Sequence, residues 1–419
     1  MNPLITLSRE LVARGHKVTF FHDADMEACI RQHGLNFFAI TAPGRCSGKR
    51  APTERQEKPS SAIPLLRYRI HRTVNDMERF LRETPQGLVR TGVEALIVDE
   101  LALAGPTIAE IVRLPYFIIS TSVPHNFGWS APRPIRPSKS FFTRVQSALL
   151  EVSVLQMKGP VRRRLDTFRR HAGLGPIRQI KATFPELAHI TQLPRCLDFP
   201  RSALPSTFHY TGPFVDDAAR LPVDFPWEQL DGRPLIYASL GTTLKSEADT
   251  FHLIAQACDG LGVQLVISLG GRRDPEMFRD LPGTPLIVRD APQLELLKRA
   301  EVVITHAGPN TVFESLMQGK PMIAIPKTFD QPAIAARLAW VRAAIVLRPD
   351  RLSAEKIRVA LSTVLGDPSY RNAAHRMQVR IRSARGLERA ADLIEQALKC
   401  HAGSSGHAFE AEAAHGSNR

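Results

Sequence analysis

The sequence contains few of the patterns that mark secreted, metal-binding or membrane-spanning proteins. Its 419 residues include only five cysteines, an odd number with no Cys-x-x-Cys pair, which argues against a disulfide framework and a zinc site. The longest apolar stretch, residues 95–112, is interrupted by Asp99, Glu100 and Glu110, so it does not qualify as a membrane span. No signal-peptide pattern follows Met1. These absences predict a cytoplasmic protein with reduced thiols.

Acidic residues are also fewer than basic ones. The sequence has 41 acidic and 55 basic residues, which give a formal net charge of +14. The basic excess is concentrated in residues 45–72 and 133–170. These runs lack the interleaved aromatic residues of a nucleic-acid stacking platform, which argues against nucleic acid as a partner. Two interpretations stay open: a solvated basic surface, and peripheral contact with the inner face of an anionic membrane.

What the sequence does contain is a repeated alternation of strands and helices. Apolar runs rich in β-forming residues predict strands, and helical spacing with Gly and Pro boundaries predicts the helices between them. The predicted strands cover residues 17–21, 36–40, 95–99, 115–120, 235–240, 263–269, 286–289, 302–305 and 321–325. This alternation is typical of α/β folds in which helices cover parallel sheets, and the chain length fits two such domains.

Composition sets the domain boundaries that we expect. They are residues 1–212 for an N-terminal domain, 213–230 for a linker, 231–378 for a C-terminal domain, 379–398 for a helix that packs back on the N-terminal domain, and 399–419 for a disordered tail. Doubly wound domains open with a strand, whereas this chain opens with a helix over residues 3–14. We therefore expect the first β-strand of the N-terminal domain, with the loop behind it, to lie upstream of Met1.

Gly308 and Pro309 come shortly after the predicted strand that ends at Thr305, and Pro309 opens a predicted helix. The glycine lets the backbone approach a ligand closely, and the helix N-terminus offers free N–H groups and the positive end of a dipole to a diphosphate. His306 and the hydroxyl of Thr311 would add hydrogen-bond donors. A short His-Ala-Gly run alone is more often an ordinary glycine turn.

Glu314 lies one turn further along the same predicted helix, on the face that it shares with Asn310. A carboxylate at this position can accept hydrogen bonds from both hydroxyls of a ribose. The order of these residues, between Arg289 and Gln331, outweighs the ordinary-turn interpretation. The segment therefore predicts a site for the nucleotide of a sugar donor.

On these motifs the sequence resembles the nucleotide-sugar glycosyltransferases of the GT-B fold, a family that includes plant secondary-metabolite, macrolide and zeaxanthin glucosyltransferases. Within it the bacterial zeaxanthin glucosyltransferase group is the most similar, with the macrolide-type enzymes next. The resemblance extends to about Leu398. It is strongest over residues 291–331, the run Asp330-Gln331-Pro332 with residues 335–337, and residues 389–392.

The resemblance implies two facing Rossmann-like domains with a cleft between them, the first binding the acceptor and the second the donor. The donor-binding residues that it implies are Gln293 for the nucleoside; His306, Gly308, Asn310 and Thr311 for the diphosphate; Glu314 for the ribose; Asp330 and Gln331 for sugar hydroxyls; and Gly241 with Thr242 in the loop that faces the transferred sugar. Asp290 stands where many relatives carry an aromatic residue that stacks on the uracil. Arg289 is a candidate to stack instead, and UDP and dTDP donors both stay open.

The implied reaction is an inverting transfer of a hexose, glucose first, from a UDP-sugar to an acceptor hydroxyl. We expect no metal and no cofactor, because the helix dipole and His306 stabilise the leaving diphosphate, and we assign no Asp-x-Asp at a strand end. Asp99 matches the aspartate that orients a histidine base in the family. That histidine is expected upstream of Met1, and we do not assign its role to His16 or His22.

The acceptor stays open at this point. A lipophilic, hydroxylated molecule is favoured, a carotenoid such as zeaxanthin by resemblance, with a macrolide, a flavonoid or a sterol as alternatives. A different class of function, a non-catalytic nucleotide-binding helper of the same fold, also stays open, although the retained Asp99, Glu314, Asp330 and Gln331 argue against it.

Overall fold

The fold was analysed in a computed structural model. It describes residues 2–40, 62–124, 159–177, 187–201, 204–241, 248–271, 273–328 and 330–416, and in residues 62–70 and 403–416 it describes the backbone without the side chains. No helix in these ranges is both long and apolar enough to cross a membrane.

Within the described residues, six parallel strands form two sheets in the N-terminal half. One sheet pairs β1 (Thr19–His22) with β2 (Asn36–Ala39), and the other has the order β3 (Leu96–Asp99), β4 (Tyr116–Ser120), β5 (Ala188–Thr191) and β6 (Phe208–Tyr210). The helices of this half are α1 (Asn2–Ala13), α2 (Glu27–Gln32), α3 (Ala62–Thr91), α4 (Gly105–Val112) and α5 (Pro160–His171). The two sheets are separate because no strand within the described residues pairs with both β1 and β3.

In the described part of the C-terminal half, six parallel strands form one sheet. The strands are β7 (Leu235–Ser239), β8 (Gln264–Ser268), β9 (Leu286–Val288), β10 (Ala300–Thr305), β11 (Met322–Ala324) and β12 (Ala344–Val346), in the spatial order β12-β11-β10-β7-β8-β9. Successive side chains of β7 alternate between two cores, with Tyr237 in one and Ile236 and Ala238 in the other. Both faces of the sheet are therefore covered, as parallel sheets require.

The helices of the C-terminal half are α6 (Ala248–Cys258), α7 (Gln293–Arg299), α8 (Pro309–Met317), α9 (Gln331–Trp340), α10 (Ala354–Gly366), α11 (Pro368–Ser383) and α12 (Gly386–Gly416). The last of these crosses back to the N-terminal half. Leu387 and Ile394 of α12 share a core with Leu7 of α1, and Arg14 Nη1 donates to Asp392 Oδ1 at 2.6 Å. The first and last helices of the chain are thus in contact.

Two expectations about the C-terminal region differ from the structure. The boundary expected at residue 378 falls inside α11, and the turn between α11 and α12 comes later, where Arg385 adopts a positive φ of 47°. The tail expected to be disordered from residue 399 continues as helix α12 to Gly416. Alanine and glutamate, both strong helix formers, dominate residues 408–414 and favour this continuation.

Candidate active site

The C-terminal sheet reverses its order between β7 and β10. Strands β7, β8 and β9 follow one another on one side, whereas β10, β11 and β12 extend on the other. Such a reversal opens a crevice outside the carboxyl ends of two strands, which is where open α/β sheets bind ligands. Ser239 and Thr305 are register partners at these ends. The loops behind them, which contain Gly241 and His306, are therefore neighbours.

The imidazole of His306 lies against two glycines in this crevice. A Cβ atom added to Gly241 would lie 2.8 Å from Nε2 of His306, and one added to Gly308 would lie closer still. Glycine is thus needed at both positions for the ring to sit where it does. Burial lowers the pKa of the His306 imidazole, although a hydrogen bond to the Ser239 backbone and the negative charge of Asp330 oppose the shift. The lowered pKa favours the neutral ring, which carries a single N–H.

The turn before α8 presents the N-terminus of that helix to the crevice. Ala307 adopts a left-handed φ of 63°, and its N–H donates to Thr305 Oγ1 at 3.2 Å. Gly308 is the N-cap residue, Pro309 is the first helical residue, and no side chain within the described residues caps this end. The first-turn N–H groups are consequently available to an anion, as the sequence predicts for a diphosphate.

Glu314, a residue of α8, lies at the centre of a buried hydrogen-bond network. Its side chain is only 2% exposed, Gln293 Nε2 donates to its Oε2 at 2.5 Å, and Arg220 Nη2 donates to its Oε1. Gln293 is itself held by the Tyr237 hydroxyl, which donates to Gln293 Oε1 at 3.1 Å. Burial raises the pKa of the Glu314 carboxyl, and Arg220 and Gln293 oppose this. The structure thus brings together Gln293 and Glu314, two residues assigned to one nucleoside.

Two further donor-site residues are hydrogen-bonded to the N-terminal half. Gln192 Nε2 donates to Asn310 Oδ1 at 3.2 Å, and the Ser122 hydroxyl donates to Asp330 Oδ2. Thr311 is 8% exposed on the same first turn of α8 as Asn310. The two halves therefore meet across the crevice, and the donor-site side chains form part of their contact.

Gln331 is buried at the start of α9 and organises the loop before it. Its Oε1 accepts from the backbone N–H groups of Lys327 at 2.9 Å and Thr328 at 3.0 Å. The amide oxygen of Gln331 is therefore engaged in hydrogen bonds that hold this loop in place. A contact of this residue with a sugar hydroxyl remains a prediction.

The remaining expected residues are less closely tied to the crevice. Asp99 ends β3 in the N-terminal half, where its Oδ1 accepts from Leu101 N–H at 2.8 Å. Its role as an orienting carboxylate stays a prediction. Thr242 lies outside the described residues. Arg289 is exposed, and its Nε donates to the Gly271 carbonyl at 3.3 Å.

Sequence reasoning missed Ser122, Gln192 and Arg220. Each contacts a donor-site residue that is 94 to 208 positions away. No local motif marks these three residues, because a hydrogen bond between distant segments leaves no spacing signal in a single sequence.

A second cluster, at the carboxyl ends of β3 and β4 and beside β5, was also missed. The Ser120 hydroxyl lies 2.5 Å from Glu100 Oε2 and 2.6 Å from His189 Nε2. Burial lowers the pKa of His189 to about 4. Glu100 approaches the same nitrogen only to 3.9 Å, so it does not orient the ring through the far nitrogen as in a catalytic triad. We interpret the cluster as a buried structural network.

One sequence interpretation is wrong, because Asp23-Ala24-Asp25 does place an Asp-x-Asp directly behind β1. Together with His22 these carboxylates lie within 4.8 Å of one another. However, Arg79 Nη2 donates to Asp23 Oδ2 at 3.0 Å, so a guanidinium already supplies positive charge there. We assign no metal to this group.

A buried ion pair also joins the two halves. Arg337 of α9, 2% exposed, donates through Nε and Nη2 to Asp198 Oδ1 at 2.8 and 2.6 Å. Arg201 Nε and the Tyr210 hydroxyl donate to the other oxygen at 2.7 and 2.6 Å. Burial alone raises the pKa of Asp198, but Arg337 and Arg201 hold it below its ordinary value.

The fold is shared with solved glycosyltransferases. The glycotransferase of kitacinnamycin superposes with a TM-score of 0.73 at 22% identity, with 95% of each chain covered. The calicheamicin glycosyltransferase CalG4 gives 0.72 at 21% identity, covering 95% of this chain and 94% of its own. At these identities the likeness concerns the fold, and it confirms the predicted α/β GT-B architecture.

Sequence comparisons point to the same family. Zeaxanthin glucosyltransferase of Pantoea ananas is 29% identical over 402 residues, covering 94% of this chain and 92% of its own. The enzyme of that name from Pseudescherichia vulneris is 30% identical over 414 residues, with 94% of each covered. The NDP-glycosyltransferase YjiC of Bacillus licheniformis is 26% identical, covering 95% and 94%.

The family model for UDP-glucoronosyl and UDP-glucosyl transferase matches residues 138–405. That range holds every donor-site residue predicted above, from Gly241 to Gln331, and spans well over half of the sequence. The predicted enzyme class is thereby confirmed. The chain belongs to the UDP-glucoronosyl and UDP-glucosyl transferase family, and it is a glycosyltransferase.

Proposed function

We propose that this enzyme transfers glucose from UDP-glucose to a hydroxyl group of a lipophilic acceptor, a carotenoid such as zeaxanthin, with inversion at the anomeric carbon. The observation that carries the donor half of the proposal is the uncapped N-terminus of α8 beside the neutral ring of His306. The likeness to two zeaxanthin glucosyltransferases along nearly the whole chain supports the acceptor half.

The leaving group is the UDP diphosphate, and its negative charge grows as the sugar–oxygen bond breaks. In this proposal the first-turn N–H groups of α8 and the N–H of His306 stabilise that charge. Because His306 is buried and neutral, it donates without releasing its proton. The chain's own dipoles can therefore do this work, and we propose that no metal or cofactor takes part.

The rest of the donor is held on either side of the diphosphate. Glu314 accepts from the ribose hydroxyls and Gln293 contacts the base, while Asp330 and Gln331 hold hydroxyl groups of the sugar beside Gly241 and Thr242. Arg289, exposed at the end of β9, offers a planar guanidinium to the base. Uridine is proposed as the nucleoside, with thymidine as the alternative.

The acceptor hydroxyl must lose a proton as it attacks. Asp99 is proposed as a positioning carboxylate, which orients the histidine base that the family resemblance implies. Basic residues in 45–72 and 133–170 are proposed to bring the enzyme to a membrane surface, where a lipophilic acceptor dissolves.

The test combines binding with transfer. UDP and dTDP are titrated calorimetrically, and transfer from UDP-glucose to zeaxanthin in detergent micelles is followed by chromatography, with a macrolide, a flavonoid and a sterol as parallel acceptors. We expect UDP binding and, when the histidine base that the family resemblance implies is present, transfer to zeaxanthin. Transfer to another acceptor alone would refute the carotenoid proposal, and nucleotide binding without any transfer in the presence of that histidine would favour the non-catalytic helper.

A further inference from the structure

A basic cavity lies outside the candidate active site and shares no residue with it. Its volume is about 680 Å³, and it opens between the loop after β5, strand β6, and the helices α11 and α12. Since α11 and α12 connect the C-terminal half to the N-terminal half, the cavity lies where the two halves are joined.

Three arginines from three different segments line this cavity. They are Arg195 behind β5, Arg380 on α11 and Arg389 on α12, and no carboxylate is among the lining residues. Within the described part of the chain, none of these three guanidinium groups has a carboxylate partner, and Arg195 lies over the Tyr210 ring at 5.9 Å. Other arginines of this protein do pair with acids, as Arg371 does with Glu301 at 2.8 Å. The cavity therefore concentrates positive charge that the protein itself does not neutralise.

The positive charges of these arginines affect the pKa values of two titratable residues in the cavity wall. Burial lowers the pKa of His209, and Arg389 lowers it further. Burial raises the pKa of the Cys196 thiol, and Arg380 opposes that rise. Both residues line the cavity. The positive charges of Arg380 on α11 and Arg389 on α12 therefore both act on groups that line this cavity.

We propose that this cavity binds a phosphate monoester. A guanidinium carries a planar fork of N–H donors that matches phosphate oxygens, and three such groups around one concave site suit a dianion. Pro194, Leu204 and Ile381 provide apolar wall beside the arginines, so the site fits a phosphate with an attached organic group. A soluble phosphate ester and a lipid headgroup share this chemistry.

The primary experiment is calorimetric titration of the full chain with inorganic phosphate, at an ionic strength held constant with chloride. The test variant is Arg380→Gln with Arg389→Gln, and Arg195→Gln is a second variant from a different segment. The matched control is Arg376→Gln, which removes the same charge from an exposed position on α11 outside the cavity. Thermal unfolding midpoints establish that each variant folds.

We expect the double variant to lose about tenfold or more in phosphate affinity, because charge-assisted hydrogen bonds disappear, while the control binds as the parent does. Arg195→Gln should weaken binding in the same direction. Phosphate binding that is equal in all variants, or that chloride abolishes equally in all, would overturn the proposal.

Vesicle sedimentation distinguishes the two sources. Phosphatidylcholine vesicles carry either phosphatidic acid, a phosphomonoester, or phosphatidylglycerol, a phosphodiester, at matched surface charge. Preferential binding to phosphatidic acid that the double variant loses identifies a lipid headgroup. Vesicle binding that is insensitive to the double variant, together with variant-sensitive binding of free phosphate, identifies a soluble ester.

Discussion

Arg220, from the connection between the two halves, donates a hydrogen bond to Glu314, the carboxylate assigned to the ribose. Arg220 is partly exposed whereas Glu314 is buried; burial raises the pKa of the Glu314 carboxyl, and the positive charge of Arg220 opposes that rise. With Gln293 on the other oxygen, Glu314 is fixed in orientation before any nucleotide arrives. An oriented acceptor loses little entropy when a ribose binds.

The ribose assignment can be tested by removing one oxygen from the ligand. The parent enzyme should bind UDP more tightly than 2′-deoxy-UDP, and Glu314→Gln should lose most of that preference. A hydrogen bond to a charged group contributes about 1.5–3 kcal/mol, so the parent preference should be about tenfold or more. Calorimetric titration measures both ligands, with Glu301→Gln as the exposed control. An undiminished preference in Glu314→Gln would place the ribose elsewhere.

Gly308 should be as important as the histidine that lies against it. A methyl group at this position collides with the His306 ring, so Gly308→Ala should weaken UDP binding as much as His306→Ala, by roughly 1.5 kcal/mol or more. Gly366→Ala is the control, since an added Cβ there meets nothing within 4 Å. If UDP affinity of Gly308→Ala matched that of the parent, the diphosphate would not depend on this ring.

Asp330 should act on the sugar and not on the nucleotide. Asp330→Asn removes the charge that we propose accepts from sugar hydroxyls, so the affinity for UDP-glucose should fall by about 1.5–3 kcal/mol while the affinity for UDP stays the same. Competition titration of the two ligands checks this. An equal loss for both would show that the variant disturbs the crevice as a whole, through the Ser122 contact.

Buried His189 should make stability depend on pH. Its pKa is about 4 in the folded protein, against an ordinary value of 6.5, so the unfolded chain binds the proton more readily between these values. The free energy of unfolding should therefore fall as the pH drops from 6.5 to 4, by about 3 kcal/mol from this group. Urea unfolding at several pH values should show a smaller fall for His189→Gln, whereas exposed His171→Gln should keep the parent slope.

The Arg337–Asp198 pair should dominate the stability of the connection between the halves. Arg337→Leu leaves a buried carboxylate without its main partner, which costs about 3–5 kcal/mol. Arg371→Leu breaks an exposed pair and should cost less than about 1 kcal/mol. Chemical denaturation compares the two variants. Similar small losses would mean that Asp198 is sufficiently compensated by Arg201 and Tyr210.

The sequence predicted the parts of the site that are local in the chain. The run from Thr305 to Glu314 encodes a strand end, a glycine turn and a helix N-terminus, and each depends on neighbouring residues. The partners of that run could not be predicted, because Arg220, Gln192 and Ser122 arrive only through tertiary packing. The 30-residue helix α3 was not assigned, since Pro85 stands inside it and its mixed polarity lacks a clear boundary.

The contact between the first and last helices has a consequence for synthesis. Arg14 and Asp392, which are hydrogen-bonded, are separated by 378 positions. At about 5–20 residues per second, roughly 20–80 s pass between the emergence of one and of the other from the ribosome. A similar time separates the synthesis of Leu7 from that of Leu387 and Ile394, with which it shares a core. The nascent N-terminal half thus keeps this apolar surface uncovered until α12 has been synthesised.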